Sequence, residues 1–159
     1  MEKKVIIGNV CFIKDLKNDH VLFLKRNREP MKDLHTGVGG KTDFHEDIHG
    51  SCIREVKEET GLDVLDLKLK GIIKTILDGR DYSWILFIYT ANQFKGDIID
   101  CPEGDLKWIP KDEIFSQNLI GFIKEVLPHV LDEKKFVEGT IKHDNFGNVL
   151  ENNIKIINI

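Results

Sequence analysis

Residues 40–62 read GKTDFHEDIHGSCIREVKEETGL, and this stretch predicts a loop, a helix and a second loop. Asp47 has the side-chain type that caps the start of a helix. Gly61 suits the left-handed position that follows a last helical turn. We therefore predict a helix over residues 47–60, ending at a glycine turn.

The predicted helix carries its acidic side chains on one side. At about 100° per residue, Glu59 and Glu58 lie about 40° and 60° to either side of Glu55. Like charges at this spacing repel, and the helix dipole disfavours them near the last turn. Arg54 supplies one compensating charge, and a divalent cation would supply more. Carboxylate oxygens suit Mg²⁺ or Mn²⁺, although a solvated acidic face is the alternative interpretation.

The spacing of these residues resembles the complete Nudix signature, G-x5-E-x7-R-E-U-x-E-E-x-G-U, where U is apolar. All nine specified positions match. They are Gly40, Glu46, Arg54, Glu55, Val56, Glu58, Glu59, Gly61 and Leu62. A chance match has a frequency of roughly one in ten million at ordinary residue usage. The resemblance implies an α/β fold, a Nudix-type α/β/α sandwich with a mixed β-sheet, formed by residues 1–159 as one domain.

Residue by residue, the resemblance implies a metal centre. Nudix enzymes hydrolyse a nucleoside diphosphate linked to another group, X, with a divalent cation. The cofactor expected here is Mg²⁺, with Mn²⁺ as the alternative ion. Glu55 corresponds to a residue that acts on the metals or as the base. Glu58 and Glu59 correspond to metal ligands, and the carbonyl of Gly39 to a further ligand.

Other matched positions are implied to support this centre. Glu46 and Arg54 are expected to hold the loop–helix–loop in shape by ion pairing, together with Gly40 and Gly61. A further acid outside the signature commonly completes such sites, and Glu103 is the candidate ligand or auxiliary base. A loop carboxylate in water is the alternative interpretation of Glu103.

Three segments also resemble MutT-type 8-oxo-dGTP diphosphatases, namely residues 37–41, 103–108 and 134–139. This implies hydrolysis of an oxidised purine nucleoside triphosphate to monophosphate and pyrophosphate. The candidate substrate-binding residues are Arg26, Lys41, Asn118 and Phe122. Arg26, with its neighbours Lys25 and Arg28, would meet phosphates, Asn118 would read a purine edge and Phe122 would stack on it. Surface, loop and core roles are the alternatives, and Trp108 is expected in the core.

The substrate remains more open than the reaction class. Residues 116–122 lack the Trp and acidic groups that oxidised-purine hydrolases often present there. Residues 31–36 lack the aromatic residue and Asn found in some relatives. A Nudix hydrolase of a nucleotide sugar, a dinucleoside polyphosphate or capped RNA is therefore the alternative, followed by a non-catalytic nucleotide-binding Nudix domain.

Two competing motifs overlap the same stretch. Residues 45–49, HEDIH, satisfy the zinc-peptidase pattern H-E-x-x-H. Gly50 and the helix-start signals lie where a peptidase helix should continue, which argues against it. Residues 40–42, GKT, match the end of a phosphate-binding P-loop. The first glycine of that motif would fall on His35, so we reject it.

Composition excludes several classes of protein. The chain has 159 residues and a formal net charge of −4, unlike the basic surfaces that bind nucleic acid or anionic membranes. Its longest apolar run, residues 84–89, is far shorter than the ~18 residues of a membrane span. Three widely spaced cysteines form no disulfide framework. We expect a cytoplasmic protein with a small-molecule nucleotide partner, without duplex nucleic acid or membrane, and of unassigned oligomeric state.

The remaining elements are predicted from β-rich and amphipathic stretches. A proline at 128 should shorten or break the last turn of the second helix. The predicted strand pairs are residues 5–13 with 20–25, 65–77 with 83–94, and 136–142 with 149–157, and the second helix spans 119–131.

Overall fold

A computed structural model describes residues 2–159 and contains an eight-stranded mixed sheet, a separate strand pair and helices on both faces. The strands are β1 (Lys4–Asp15), β2 (His20–Arg26), β3 (His35–Thr36), β4 (Asp63–Val64), β5 (Lys68–Leu77), β6 (Tyr82–Ala91), β7 (Phe94–Lys95), β8 (Gly104–Pro110), β9 (Lys135–His143) and β10 (Val149–Asn158). The helices are α1 (Ile48–Thr60), α2 (Gly121–Val130) and a 3₁₀ helix (Lys111–Ser116).

The sheet runs in the order β10-β9-β5-β6-β1-β2-β3, and β8 pairs with β2. β1 is parallel to β6 and β5 is parallel to β9, whereas the other neighbours are antiparallel. β4 pairs only with β7. Within residues 2–159, no helix combines the length and apolar character needed to cross a bilayer.

Side-chain alternation along β1 builds two cores, one on each face of the sheet. Phe12 faces the core that α2 covers through Ile123 and Leu127. Cys11 faces the core that α1 covers through Val56. A helix therefore lies on each side of the sheet, and the α/β/α sandwich predicted from the sequence is confirmed.

The predicted boundaries of α1 agree with the structure. The Asp47 carboxylate accepts a hydrogen bond of 2.7 Å from the N–H of Gly50. Gly61 adopts a φ of 81°, and its N–H donates to the carbonyl of Lys57. α2 is shorter than its predicted span and continues through Pro128, which lies in the last turn before the helix ends at Val130.

Two predicted strand pairings differ in detail. The stretch predicted as one strand over residues 65–77 divides into β4 and β5, because Asp66 Oδ1 accepts from the N–H groups of Asn92 and Gln93 and bends the chain. β1 and β2 pair only at their hairpin end, Lys14 with Val21 and the next pair.

The rest of the β1 edge is occupied by the glycine loop, residues 37–42. Val38 and Cys11 exchange backbone hydrogen bonds of 3.1 and 2.6 Å. Asn9 N–H donates to the carbonyl of Gly40 at 2.9 Å. The glycine loop therefore lies against the sheet directly before α1 begins.

Candidate active site

The glycine loop is held by a buried polar network as well as by the strand. Asn9 is 2% exposed, and its side-chain oxygen accepts from the Gly40 N–H at 3.2 Å. The Asn9 amide donates to Ser51 Oγ on α1 at 3.1 Å. Ser51 Oγ also lies 2.7 Å from Thr42 Oγ1. One network thus fixes the spacing between β1, the loop and the first turn of α1.

Arg54 holds the other side of the loop–helix unit. Its guanidinium donates to both carboxylate oxygens of Glu46, at 2.5 and 2.8 Å, and to the Lys41 carbonyl at 3.1 Å. The hydrogen bonds from Arg54 lower the pKa of Glu46 to about 2, aided by the Asp43 N–H. The same pairing raises the pKa of Arg54. The structure thus contains the predicted Glu46–Arg54 ion pair.

Glu55 packs against a glycine that leaves room for it. A Cβ built on Gly40 would overlap the Glu55 carboxylate, lying 2.7 Å from Oε1. Burial raises the pKa of Glu55, and Arg54 acts against that rise by donating to Oε1 at 3.0 Å. Glu58, one turn further on, is 59% exposed at its side chain and accepts from Arg54 at 3.2 Å.

Glu59 is the most buried acid of the group, at 7% exposure. Its carboxylate accepts from the Gly39 N–H at 2.8 Å and lies against Glu103. Burial, and next the hydrogen bond with Glu103, raise the pKa of Glu59 to about 9. The same hydrogen bond lowers the pKa of Glu103, which is also paired with Arg28. The two facing carboxyl groups thus shift each other's pKa in opposite directions.

This donor set fits a hard divalent cation. Two carboxyl groups that face each other offer a cation oxygen ligands once they are deprotonated. Gly40 keeps a third carboxylate, that of Glu55, close to the same loop. Within residues 2–159, however, no three His, Cys, Asp or Glu side chains are already arranged as a complete metal site. Glu55 and Glu58 accept hydrogen bonds from the same nitrogen of Arg54, Nη1.

A cavity of about 460 Å³ opens beside these acids. Its polar wall includes Glu59, Glu103 and two cations, Arg26 and Lys41. Burial lowers the pKa of Arg26. The remaining wall is mostly apolar and aromatic, and is formed by residues including Leu77, Tyr82, Trp84, Leu86, Ile120 and Phe122. A concave site with few charges at one wall and rings at another suits a nucleotide-sized ligand.

The predicted substrate residues fall in different places. Arg26, Lys41 and Phe122 line the cavity. Asn118 is exposed and absent from the lining, and its carbonyl accepts from the His35 N–H at 2.7 Å. Trp108 stacks on Phe94 at 5.5 Å, away from the cavity, as expected of a core residue.

Sequence reasoning missed Asn9, Trp84 and His143. Trp84 lines the cavity with Lys41 Nζ 5.9 Å from its ring centroid, and His143 lines it from β9. Of these three residues, Asn9 could have been identified from the sequence, because it is a polar residue within a mostly apolar, buried strand.

Comparison with known proteins gives consistent results. The NUDIX domain family model matches residues 7–130. The chain is 32% identical over 130 residues to "Uncharacterized Nudix hydrolase YvcI" of Bacillus subtilis (strain 168), covering 79% of this chain and 80% of that protein. It is 28% identical over 106 residues to "Oxidized purine nucleoside triphosphate hydrolase" of Danio rerio, covering 64% and 65%. The crystal structure of a MutT protein from Bacillus halodurans superimposes with a TM-score of 0.82 at 28% identity, covering 95% and 97%.

Proposed function

Since this chain belongs to the Nudix family and is a Nudix pyrophosphohydrolase, we propose that its substrate is an oxidised purine nucleoside triphosphate, 8-oxo-dGTP. Water attacks the triphosphate and the products are the monophosphate and pyrophosphate. The observation that carries the proposal is that Glu59 of α1 and its neighbour Glu103 share one cavity with an aromatic wall. The proposed role is to remove oxidised nucleotides from the nucleotide pool. The proposed location is the cytoplasm.

The family uses a divalent metal, and Mg²⁺ is the ion proposed here. Glu55, Glu58, Glu59 and Glu103, with the Gly39 carbonyl, would hold it. When bound, such an ion neutralises charge on the phosphates and lowers the pKa of a coordinated water. Glu59, whose pKa is raised, would lose its proton on acting as a ligand.

The remaining roles, namely proton transfer, phosphate binding and orientation of the base, are proposed for side chains of this chain. Glu55 takes the proton of the attacking water, and the burial that raises its pKa makes it a better base near neutral pH. Arg26 and Lys41 meet the phosphates. Arg54 keeps Glu55 oriented, since it is itself fixed by both oxygens of Glu46.

The aromatic wall supports a purine substrate. Trp84 and Phe122 present ring surface in the cavity, and flat apolar surface favours stacking of a base. The volume lies in the ordinary range of ligand pockets, about 300–1,000 Å³. The relative in Danio rerio carries the name of an oxidised purine nucleoside triphosphate hydrolase, which agrees with this choice.

We also propose that residues 1–159 act as one domain, although the family match ends at residue 130. β9 lies beside β5 in the interior of the sheet and contributes Val137 and Ile141 to the α2-side core. His143, at the end of β9, lines the cavity.

A nucleotide panel with Mg²⁺ present and absent tests the proposal. The panel contains 8-oxo-dGTP, dGTP, a nucleotide sugar, a dinucleoside polyphosphate and a capped RNA, and products are resolved as pyrophosphate or orthophosphate. We expect Mg²⁺-dependent release of pyrophosphate, with the highest kcat/KM for 8-oxo-dGTP. If another member of the panel is the better substrate, the proposed substrate is wrong and the hydrolase class stands.

The metal-ligand assignment has its own test in Glu58→Gln. Glu58 is exposed and its i,i+4 pair with Arg54 is worth less than about 0.5 kcal/mol, so the variant should fold normally. Turnover should fall by about a hundredfold or more, because a charged ligand is lost. Glu113→Gln, an exposed acid on the 3₁₀ helix, is the matched control. Unimpaired turnover of Glu58→Gln would rule the assignment out.

A further inference from the structure

His143 is a buried polar side chain that the mechanism above does not use. It ends β9, pairs in register with Leu77 of β5, and is 5% exposed. Its ring lies 6.3 Å from that of Phe122 between centroids. Both rings line the cavity, so a base stacked against Phe122 would lie next to His143.

The structure fixes which nitrogen of this ring carries the proton. Nδ1 lies 2.9 Å from the carbonyl of Asp144. Because a carbonyl oxygen can only accept, Nδ1 must donate, and the neutral ring then offers Nε2 as an acceptor. Nε2 has no hydrogen-bond partner among residues 2–159 and is not sealed from solvent, which leaves it available to a ligand in the cavity.

The loop that holds Nδ1 is itself well fixed. The Asp144 carboxylate accepts from the N–H groups of Phe146 and Asn148, at 2.8 and 2.9 Å. The Asp144 N–H donates to the Asn148 carbonyl at 3.0 Å. On the other side, the His143 carbonyl accepts from the Asp78 N–H at 2.9 Å. A ring with its proton on Nε2 instead would lose the hydrogen bond to the Asp144 carbonyl.

Among the other neutral polar side chains of the cavity, Trp84 can only donate, through its indole N–H, and the rest have no fixed polarity towards a ligand. The hydroxyls of Thr36, Thr75 and Tyr82 can rotate to donate or to accept. Both ends of the Asn9 amide are already used by Gly40 and Ser51. His143 is therefore the neutral side chain in the lining whose fixed polarity is that of an acceptor.

Guanine and 8-oxoguanine differ in this respect at N7. In guanine N7 is an acceptor, whereas in 8-oxoguanine N7 carries a hydrogen. We propose that His143 Nε2 accepts a hydrogen bond from N7–H of the oxidised base and repels the N7 lone pair of the ordinary base. His143 is thus the residue that determines specificity for the oxidised purine. This inference rests on the proposed function and refines it.

The test compares kcat/KM for 8-oxo-dGTP and for dGTP under the same conditions. His143→Phe keeps a ring against Phe122 and removes both nitrogens. The preference for 8-oxo-dGTP should fall by about tenfold or more, because N7–H loses its partner. Thr75→Val, an isosteric change in the same cavity, should affect both substrates alike. An unchanged preference in His143→Phe overturns the inference.

Two measurements on the wild-type chain keep the inference testable if the variant does not fold. 7-Deaza-dGTP has C–H in place of N7 and should be hydrolysed about threefold or more faster than dGTP, since a lone pair no longer faces Nε2. Equal rates overturn the inference. ¹⁵N NMR of the labelled chain should show the proton on Nδ1 of His143, and a proton on Nε2 overturns it.

Failure of the inference is distinguishable from failure of the proposed function. A wild-type enzyme that prefers 8-oxo-dGTP, together with a His143→Phe variant that keeps this preference, refutes the role of His143 alone. A wild-type enzyme without any preference for 8-oxo-dGTP refutes the proposed substrate and this inference together.

Discussion

Replacing Gly40 by alanine adds one methyl group beside the carboxylate of Glu55. A Cβ at this position would lie 2.7 Å from Glu55 Oε1 and still nearer to the other atoms of that carboxylate. Unstrained non-bonded contacts begin at about 3.5 Å and Oε2 would lie only 2.5 Å away, so the carboxylate must move by about 1 Å. The loop is less free to move, because Gly40 N–H and C=O are both hydrogen-bonded to Asn9.

The expected loss of activity follows from this displacement. A misplacement of about 1 Å in a catalytic group can cost about a hundredfold in rate. We therefore expect kcat of Gly40→Ala to fall by about 30- to 100-fold. KM should change much less, because Arg26 and the aromatic wall are not displaced. The Mg²⁺ concentration for half-maximal activity should rise, since Glu55 is also a proposed ligand.

Steady-state hydrolysis with a Mg²⁺ titration measures these changes, and Gly50→Ala is the matched control. Gly50 lies in the same loop–helix unit, but a Cβ there meets only Asp47 atoms at 3.4 and 3.7 Å. Alanine in place of a helical glycine should stabilise α1 by about 0.5–1 kcal/mol and leave kcat unchanged. Wild-type kcat and Mg²⁺ dependence in Gly40→Ala would refute the placement of Glu55 in the reaction.

Two further variants test the polar contacts that hold the glycine loop. Glu46→Gln should be less stable than wild type above about pH 4.5, because the lowered pKa of Glu46 shows that its charged form stabilises the folded state. The difference in free energy of unfolding should shrink as pH falls towards 2, where wild-type Glu46 becomes protonated. A gap that is constant with pH in urea unfolding would contradict this. Asn9→Ala should cost about 2–4 kcal/mol, since two hydrogen bonds are lost and the Gly40 N–H is left unpaired. Asn18→Ala, in an exposed turn, is the control and should change stability by less than about 0.5 kcal/mol; equal costs would contradict the role of Asn9.

Some strand bounds differ from prediction for identifiable reasons. The hydrogen bonds that Asp66 accepts across the chain interrupt the predicted strand at residues 65–77. β2 leaves β1 after the hairpin because the glycine loop takes its place at that edge. Neither contact is local in sequence, so periodicity and turn residues did not indicate them.

Helix α1, its two caps and the three acids on one of its sides, Glu55, Glu58 and Glu59, could be predicted from the sequence alone. These features depend on residues within about four positions of each other, where helical geometry fixes which side chains are neighbours. The predicted ion pair of Glu46 and Arg54 belongs to the same local unit.

What these three acids face depends on contacts between distant parts of the chain. Glu103, in the turn before β8, meets Glu59 of α1. Trp84 and His143 line one cavity from strands that lie far apart in the sequence. The face to which a strand residue points depends on register and strand order, and a shift of one residue reverses it. The acids of α1 and Phe122 could therefore be identified from the sequence, whereas Trp84 and His143 in the cavity wall could not.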